Sequence, residues 1–72
     1  MFDKFKAQVT LYHEGKPFIG EGAECIINST GITIDNLTVP MANIISYQKL
    51  KLKEPLGEYE YNLIIHVVNW VK

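Results

Sequence analysis

Three consecutive stretches decide the fold: Asn43-Ile44-Ile45-Ser46-Tyr47-Gln48-Lys49-Leu50-Lys51-Leu52-Lys53, the break Glu54-Pro55-Leu56-Gly57, and Glu58-Tyr59-Glu60-Tyr61-Asn62-Leu63-Ile64-Ile65-His66-Val67-Val68. On both sides of the break, like residues recur at every second position, the period of a β-strand rather than a helix. Pro55 suits the second position of a type I turn and Gly57 the fourth. With Pro55 and Leu56 central, the segments 43–53 and 58–68 form an antiparallel ribbon. Lys53 then lies opposite Glu58 and Lys51 opposite Glu60, while Leu52 meets Tyr59 and Leu50 meets Tyr61. A slip of one residue would destroy both sets of pairs.

Away from its tip the same ribbon turns apolar on its charged face, where Ile45 and Tyr47 follow the lysines and Ile64 and Val68 follow the glutamates. A ribbon apolar on both faces must be covered twice, and a second subunit is the natural second cover. Ile45, Tyr47, Ile64, Val68 and Trp70 are therefore the candidate interface residues. The competing reading has Tyr47 and Trp70 closing the ends of a barrel. Beyond Asn62 the pattern is mixed. Asn62, His66 and Asn69 recur at helical spacing, whereas the β-branched pairs Ile64-Ile65 and Val67-Val68 favour a strand. The reading adopted is a strand bending near Asn69, with a short C-terminal helix over 62–72 as the alternative.

Working outward, Phe5, Ala7, Val9 and Leu11 alternate with Lys4, Lys6, Gln8 and Thr10, which makes a half-buried strand. A polar turn follows at His13 to Pro17, and the next strand passes through Gly20 and Gly22, glycines that mark a bulge or bend. Ala23, Cys25 and Ile27 share a face, Asn28 to Gly31 form a turn, and pairing Ile27 with Ile32 and Cys25 with Ile34 keeps that face apolar. Asp35-Asn36 is a break, and Pro40 ends the short stretch from Leu37. The expected fold is all-β: one domain over 1–72, an antiparallel meander of about five or six strands forming a small, partly open barrel or strongly bent sheet.

Seventy-two residues are near the size at which a lone core is marginal, so a partner is an expected source of stability. One cysteine, Cys25, forbids an internal disulfide and suits a reducing cytoplasm. The N-terminus lacks the apolar region of a signal peptide, and no apolar run nears the ~20 residues of a membrane span. A net charge of −1, with seven lysines and no arginine, argues against a nucleic-acid partner.

The residues that could carry chemistry are scattered. Cys25 with His13 or His66 is the one nucleophile–base candidate, yet Cys25 sits on an apolar strand face. The same three residues lack zinc-ligand spacing, and Glu58 and Glu60 read as surface partners of lysines. The expectation is no catalytic site, no metal and no cofactor. Two rows of lysines, Lys4 and Lys6 and then Lys49, Lys51 and Lys53, admit two readings. One is a patch for phosphate or lipid headgroups; the other is protection of strands against edge-to-edge pairing.

Between Gly22 and Gln48, Gly-Ala-Glu-Cys-Ile-Ile-Asn-Ser-Thr-Gly-Ile-Thr-Ile-Asp-Asn followed by Val39-Pro40-Met41, Asn43 and Ile44-Ile45-Ser46 resembles the strand–turn–strand segment of pleckstrin-homology-like and GRAM-like domains. The resemblance covers a little over a third of the chain and implies a small β-barrel acting as a protein- or lipid-binding or assembly module. Full domains of that type carry about seven strands and a capping helix, for which 72 residues leave little room. The leading expectation is a non-catalytic protein-interaction module that self-associates, or a small inhibitor acting by occlusion. The rival is a module binding phosphate, lipid headgroups or nucleic acid through the lysine rows.

Overall fold

The computed structural model describes residues 3–70, with the side chains of residues 18, 19, 21, 55 and 56 outside the description. The chain forms strands β1 (Asp3–His13), β2 (Lys16–Asn28), β3 (Gly31–Ile34) and β4 (Leu37–Pro40). A single 3-10 turn at Met41–Asn43 then leads to β5 (Ile44–Leu56) and β6 (Tyr59–Val67). All six strands belong to one open sheet in the order β4-β3-β2-β1-β6-β5. No α-helix occurs among the described residues, and β6 continues to Val67 where the helix over 62–72 was the alternative. The chain bends at Asn69, which takes a positive φ of 54°.

The expected antiparallel meander is corrected at one place. β6 pairs with β1 in parallel, Ala7 with Tyr61 through His13 with Val67. The other four pairings are antiparallel, so the sheet is mixed. Hairpin signals specify pairing between neighbours in sequence; they do not say which strand satisfies the second edge of β1. That edge must find main-chain partners if it is buried, and β6 supplies them.

The sheet is curled by its own connectivity. β4 and β5 are its two edges, and a flat six-stranded sheet is roughly 24 Å wide between them. Four residue steps from Pro40 to Ile44 reach at most about 14 Å. Two hydrogen bonds hold the turn in the resulting corner: Met41 N–H donates to the Thr30 carbonyl and Val68 N–H to that of Asn43, both at 2.9 Å. The Asn43 amide nitrogen adds bonds to the Val68 and Asn69 carbonyls, each 3.0 Å.

Curling turns one face of the sheet into a core. Phe5, Ala7, Val9 and Leu11 bury the predicted face of β1, joined by Ala23, Cys25, Ile32, Ile34 and Val39 and by Leu63, Ile65 and Val67 of β6. Trp70 closes the cluster after the bend at Asn69. Fully burying a side chain of this size stabilises by about 1.5–3 kcal/mol. Gly31 is required by contact rather than by φ: a Cβ there would stand 2.2 Å from the Val39 carbonyl oxygen. On β2, Leu11 pairs with Ile19 but Tyr12 with Pro17, so the bulge falls just before Gly20. Gly22 is covered by the Tyr59 ring, which a Cβ would meet at 2.5 Å. Tyr59 thus packs on a glycine outside the buried cluster.

Candidate functional site

The tip of the β5–β6 ribbon differs from the expected register. Lys51 pairs with Tyr61, Leu50 with Asn62, Lys49 with Leu63 and Tyr47 with Ile65, and Leu56 pairs with Tyr59 beyond an irregularity. The turn is centred on Gly57-Glu58, with Gly57 at φ 62°, the position a two-residue hairpin reserves for glycine. The expected pairs Lys53–Glu58 and Lys51–Glu60 are therefore not formed. Glu58 instead accepts a 2.9 Å hydrogen bond from Lys6 on β1. That contact raises the Lys6 pKa, first through the hydrogen bond and then through the charge of Glu58.

The register places Tyr47, Lys49 and Lys51 on the concave face, with Ser46, Gln48 and Leu50 on the outer one. Ile44 pairs with Val67 and Ser46 with His66, so Ile45 is bulged out of the ladder. The candidate interface residues consequently separate. Trp70 is only 7 % exposed and serves the core, which corrects its assignment to a surface. Ile64 and Val68 are half-buried. Tyr47 and Ile64 lie on opposite faces, because Tyr47 is opposite Ile65 and Gln48 is opposite Ile64. Ile45 and Tyr47 do remain at the surface, 65 % and 41 % exposed, and Leu50 joins them at 49 %. Leu50 was expected to pair with Tyr61 in an apolar row, and the shifted register is what exposes it.

These three are the exposed large apolar side chains among the described residues, and all lie on β5. β5 is an edge strand: among the described residues, β6 flanks it on one side and no strand flanks it on the other. Its outer main-chain groups are thus available to another extended chain.

The lysine rows are largely neutralised. Lys4 lies 3.6 Å from Glu24, Lys6 pairs with Glu58, and Lys49 lies 2.7 Å from Asp3. The Lys49 ammonium also stands over two rings, 4.1 Å from the centre of Phe5 and 4.4 Å from that of Tyr61. Those rings meet edge-on with centroids 5.5 Å apart. An inward-pointing charge of this kind on an edge strand also discourages indiscriminate strand pairing. Among the described residues Lys51 and Lys53 make no ion pair. The shallow groove at this end is lined by Asp3, Phe5, Lys49, Glu60 and Tyr61 together with the paired Lys4, Lys6 and Glu58, so its lysines on β1 and Lys49 already face carboxylates.

The candidate nucleophile is placed away from its bases. Cys25 is buried in the core, and burial, followed by the charges of Asp35 and Glu24, pushes its thiol up to about 11. A thiol held that high is protonated at neutral pH and is a poor nucleophile. His66 stacks on Tyr12, ring centroids 5.0 Å apart and 12° from parallel. Both belong to the row that alternates with the buried Leu11, Ile65 and Val67, so His66 and Cys25 occupy opposite faces. His13 stands eight residues along β1 from Phe5, the partner of Cys25. Among the described residues no three His, Cys, Asp or Glu side chains converge as metal ligands. No helix among them is long and apolar enough to cross a membrane.

Comparison with protein-family models, with curated proteins and with solved structures returned no match.

Proposed function

We propose that the chain is a non-catalytic protein-interaction module whose docking element is the free edge of β5. One observation carries this reading: among the described residues, the exposed large apolar side chains Ile45, Tyr47 and Leu50 are collected on a single edge strand rather than scattered. An extended segment added to such an edge gains main-chain hydrogen bonds from the strand and side-chain contacts on alternate positions. A second copy of the chain can present that segment, which is the self-association expected from the small core, and so can another protein. An inhibitor acting by occlusion would use the same edge. The resemblance of residues 22–48 to pleckstrin-homology-like and GRAM-like modules supports the same functional class. The lysine-patch reading is weaker, because Lys4, Lys6 and Lys49 are each engaged by a carboxylate.

The test pairs light scattering over a dilution series with selection of random extended peptides on the immobilised chain, each repeated with Tyr47→Glu. Association or peptide capture that Tyr47→Glu abolishes supports β5 as the docking element. A chain that stays monomeric and selects no peptide overturns the reading, as does binding that Tyr47→Glu leaves intact.

A further inference from the structure

We infer that the occupant of the β5 edge is an extended segment of another protein that carries an acidic residue followed by two apolar positions. The inference rests on β5 being the docking element and names the chemistry of what docks there. It comes from the order of residues along the strand. Tyr47 and Leu50 are exposed apolar contacts, and Lys51 beside them is an exposed cation without an ion pair among the described residues. Lys49 differs, since Asp3 and two aromatic rings already hold its ammonium.

Directly opposed residues of an antiparallel pair point to the same face, and their side chains decide the match. A strand running antiparallel to β5 therefore meets Lys51 first, on the concave face. It then meets Leu50 on the outer face and, three residues later, Tyr47 on the concave face. The complementary sequence is acidic, apolar, any, any, apolar. Lys53 extends the demand for negative charge to the residues preceding that acid.

A second copy supplies this poorly. From Ile44 to Lys53 the strand contains no Asp or Glu, so β5 paired on β5 brings no carboxylate to Lys51. Glu54 reaches Lys51 only in a register that leaves Ile45 and Tyr47 beyond the paired stretch. β4, the other edge strand a second copy could offer, is four residues long and holds no Asp or Glu, so the charge on the β5 edge selects a different chain.

The experiment titrates the full chain, labelled for amide chemical shifts, with two blocked ten-residue peptides that differ at one position. The first contains Asp-Leu-Thr-Thr-Val flanked by threonines, and the second has lysine in place of the aspartate. Saturable binding of the first is expected, with shifts concentrated on β5. The lysine peptide should bind about tenfold or more weakly, since one opposed pair changes from attraction to repulsion. Added salt should narrow that difference, and Lys51→Glu with Lys53→Glu should reverse the preference. Equal affinity for the two peptides overturns the inference, as does shift perturbation away from β5. A dimer that Tyr47→Glu dissolves, with neither peptide binding, overturns the acidic partner while leaving β5 as the docking element. A monomer that binds neither peptide and selects none from a random pool removes both.

Discussion

The two hairpins β2–β3 and β5–β6 are built from similar alternating sequence, yet only the first has the register its residues suggest. In β2–β3, Ile27 pairs with Ile32 and Cys25 with Ile34, as the one-sided apolar pattern requires. Its turn is specified within four residues: the Asn28 side-chain oxygen accepts from Thr30 N at 2.9 Å, Thr30 Oγ1 at 2.6 Å and Gly31 N at 3.2 Å. In β5–β6 the apolar pattern is not one-sided, and the local turn signal is the positive φ of Gly57. Leucines and lysines alternate on a strand exposed along most of its length, so a slip of one residue costs little burial. Register there is imposed from outside. β1 orients Leu63 and Ile65 of β6 inward beside Val9 and Leu11. β5 then follows β6, with Lys49 drawn over Phe5 and Tyr61. Local chemistry sets a register where one face of both strands is buried; elsewhere a third strand sets it.

Substitutions can break either half of this contrast. Gly31→Val should have the largest effect, because the new Cβ would meet the Val39 carbonyl oxygen and the backbone must move. A loss of about 3 kcal/mol is expected in urea unfolding, the upper range for overpacking. Asn28→Ala should cost about 1–2 kcal/mol by the same assay, as for loss of a side-chain cap that satisfies several donors. Gly57→Ala places a side chain at φ 62° and should cost about 1 kcal/mol. Its amide shift changes should concentrate on β5 and β6, leaving β2–β3 unmoved.

Cys25 reports on the locally specified hairpin from inside. Its thiol is raised from an ordinary value near 9 to about 11, so folding favours the neutral form. That contribution is complete below about pH 9 and is lost as the pH rises toward 11. A thiol reagent at pH 8 should therefore leave Cys25 unmodified until denaturant is added, and rapid labelling of the native chain would contradict its burial. The smallest effect is the most discriminating for the second hairpin. A double-mutant cycle on Lys6 and Glu58 should show a weak, salt-sensitive coupling, whereas Lys51 and Glu60 should show none. Coupling in the second pair alone would restore the register that the alternation suggested.

Strand content, the buried faces of β1 and β2, the β2–β3 register, the break at Asp35-Asn36 and the strand through 62–67 were all legible in the residues. Each depends on neighbours in sequence: alternation of period two, turn residues, β-branching. The candidate site was legible only in part. Ile45 and Tyr47 were recognisable as apolar residues in excess of what one face can bury, but Leu50 was hidden by the assumed register and Trp70 was misplaced. A tryptophan after the last strand looks alike whether it caps a core or faces a partner. What decides is where Asn43 and the bend at Asn69 direct it.

By itself, then, the sequence determined that this chain folds as β-structure with one continuous apolar face, because side-chain period and turn chemistry act over a few residues. The tertiary structure alone decided that β6 lies parallel to β1, that β5 is the last strand in the sheet order, and which described lysines on it are already paired. Those outcomes depend on main-chain groups and charges meeting across about fifty residues of sequence, as Lys6 meets Glu58 and Asp3 meets Lys49. No local pattern encodes a partner that distant.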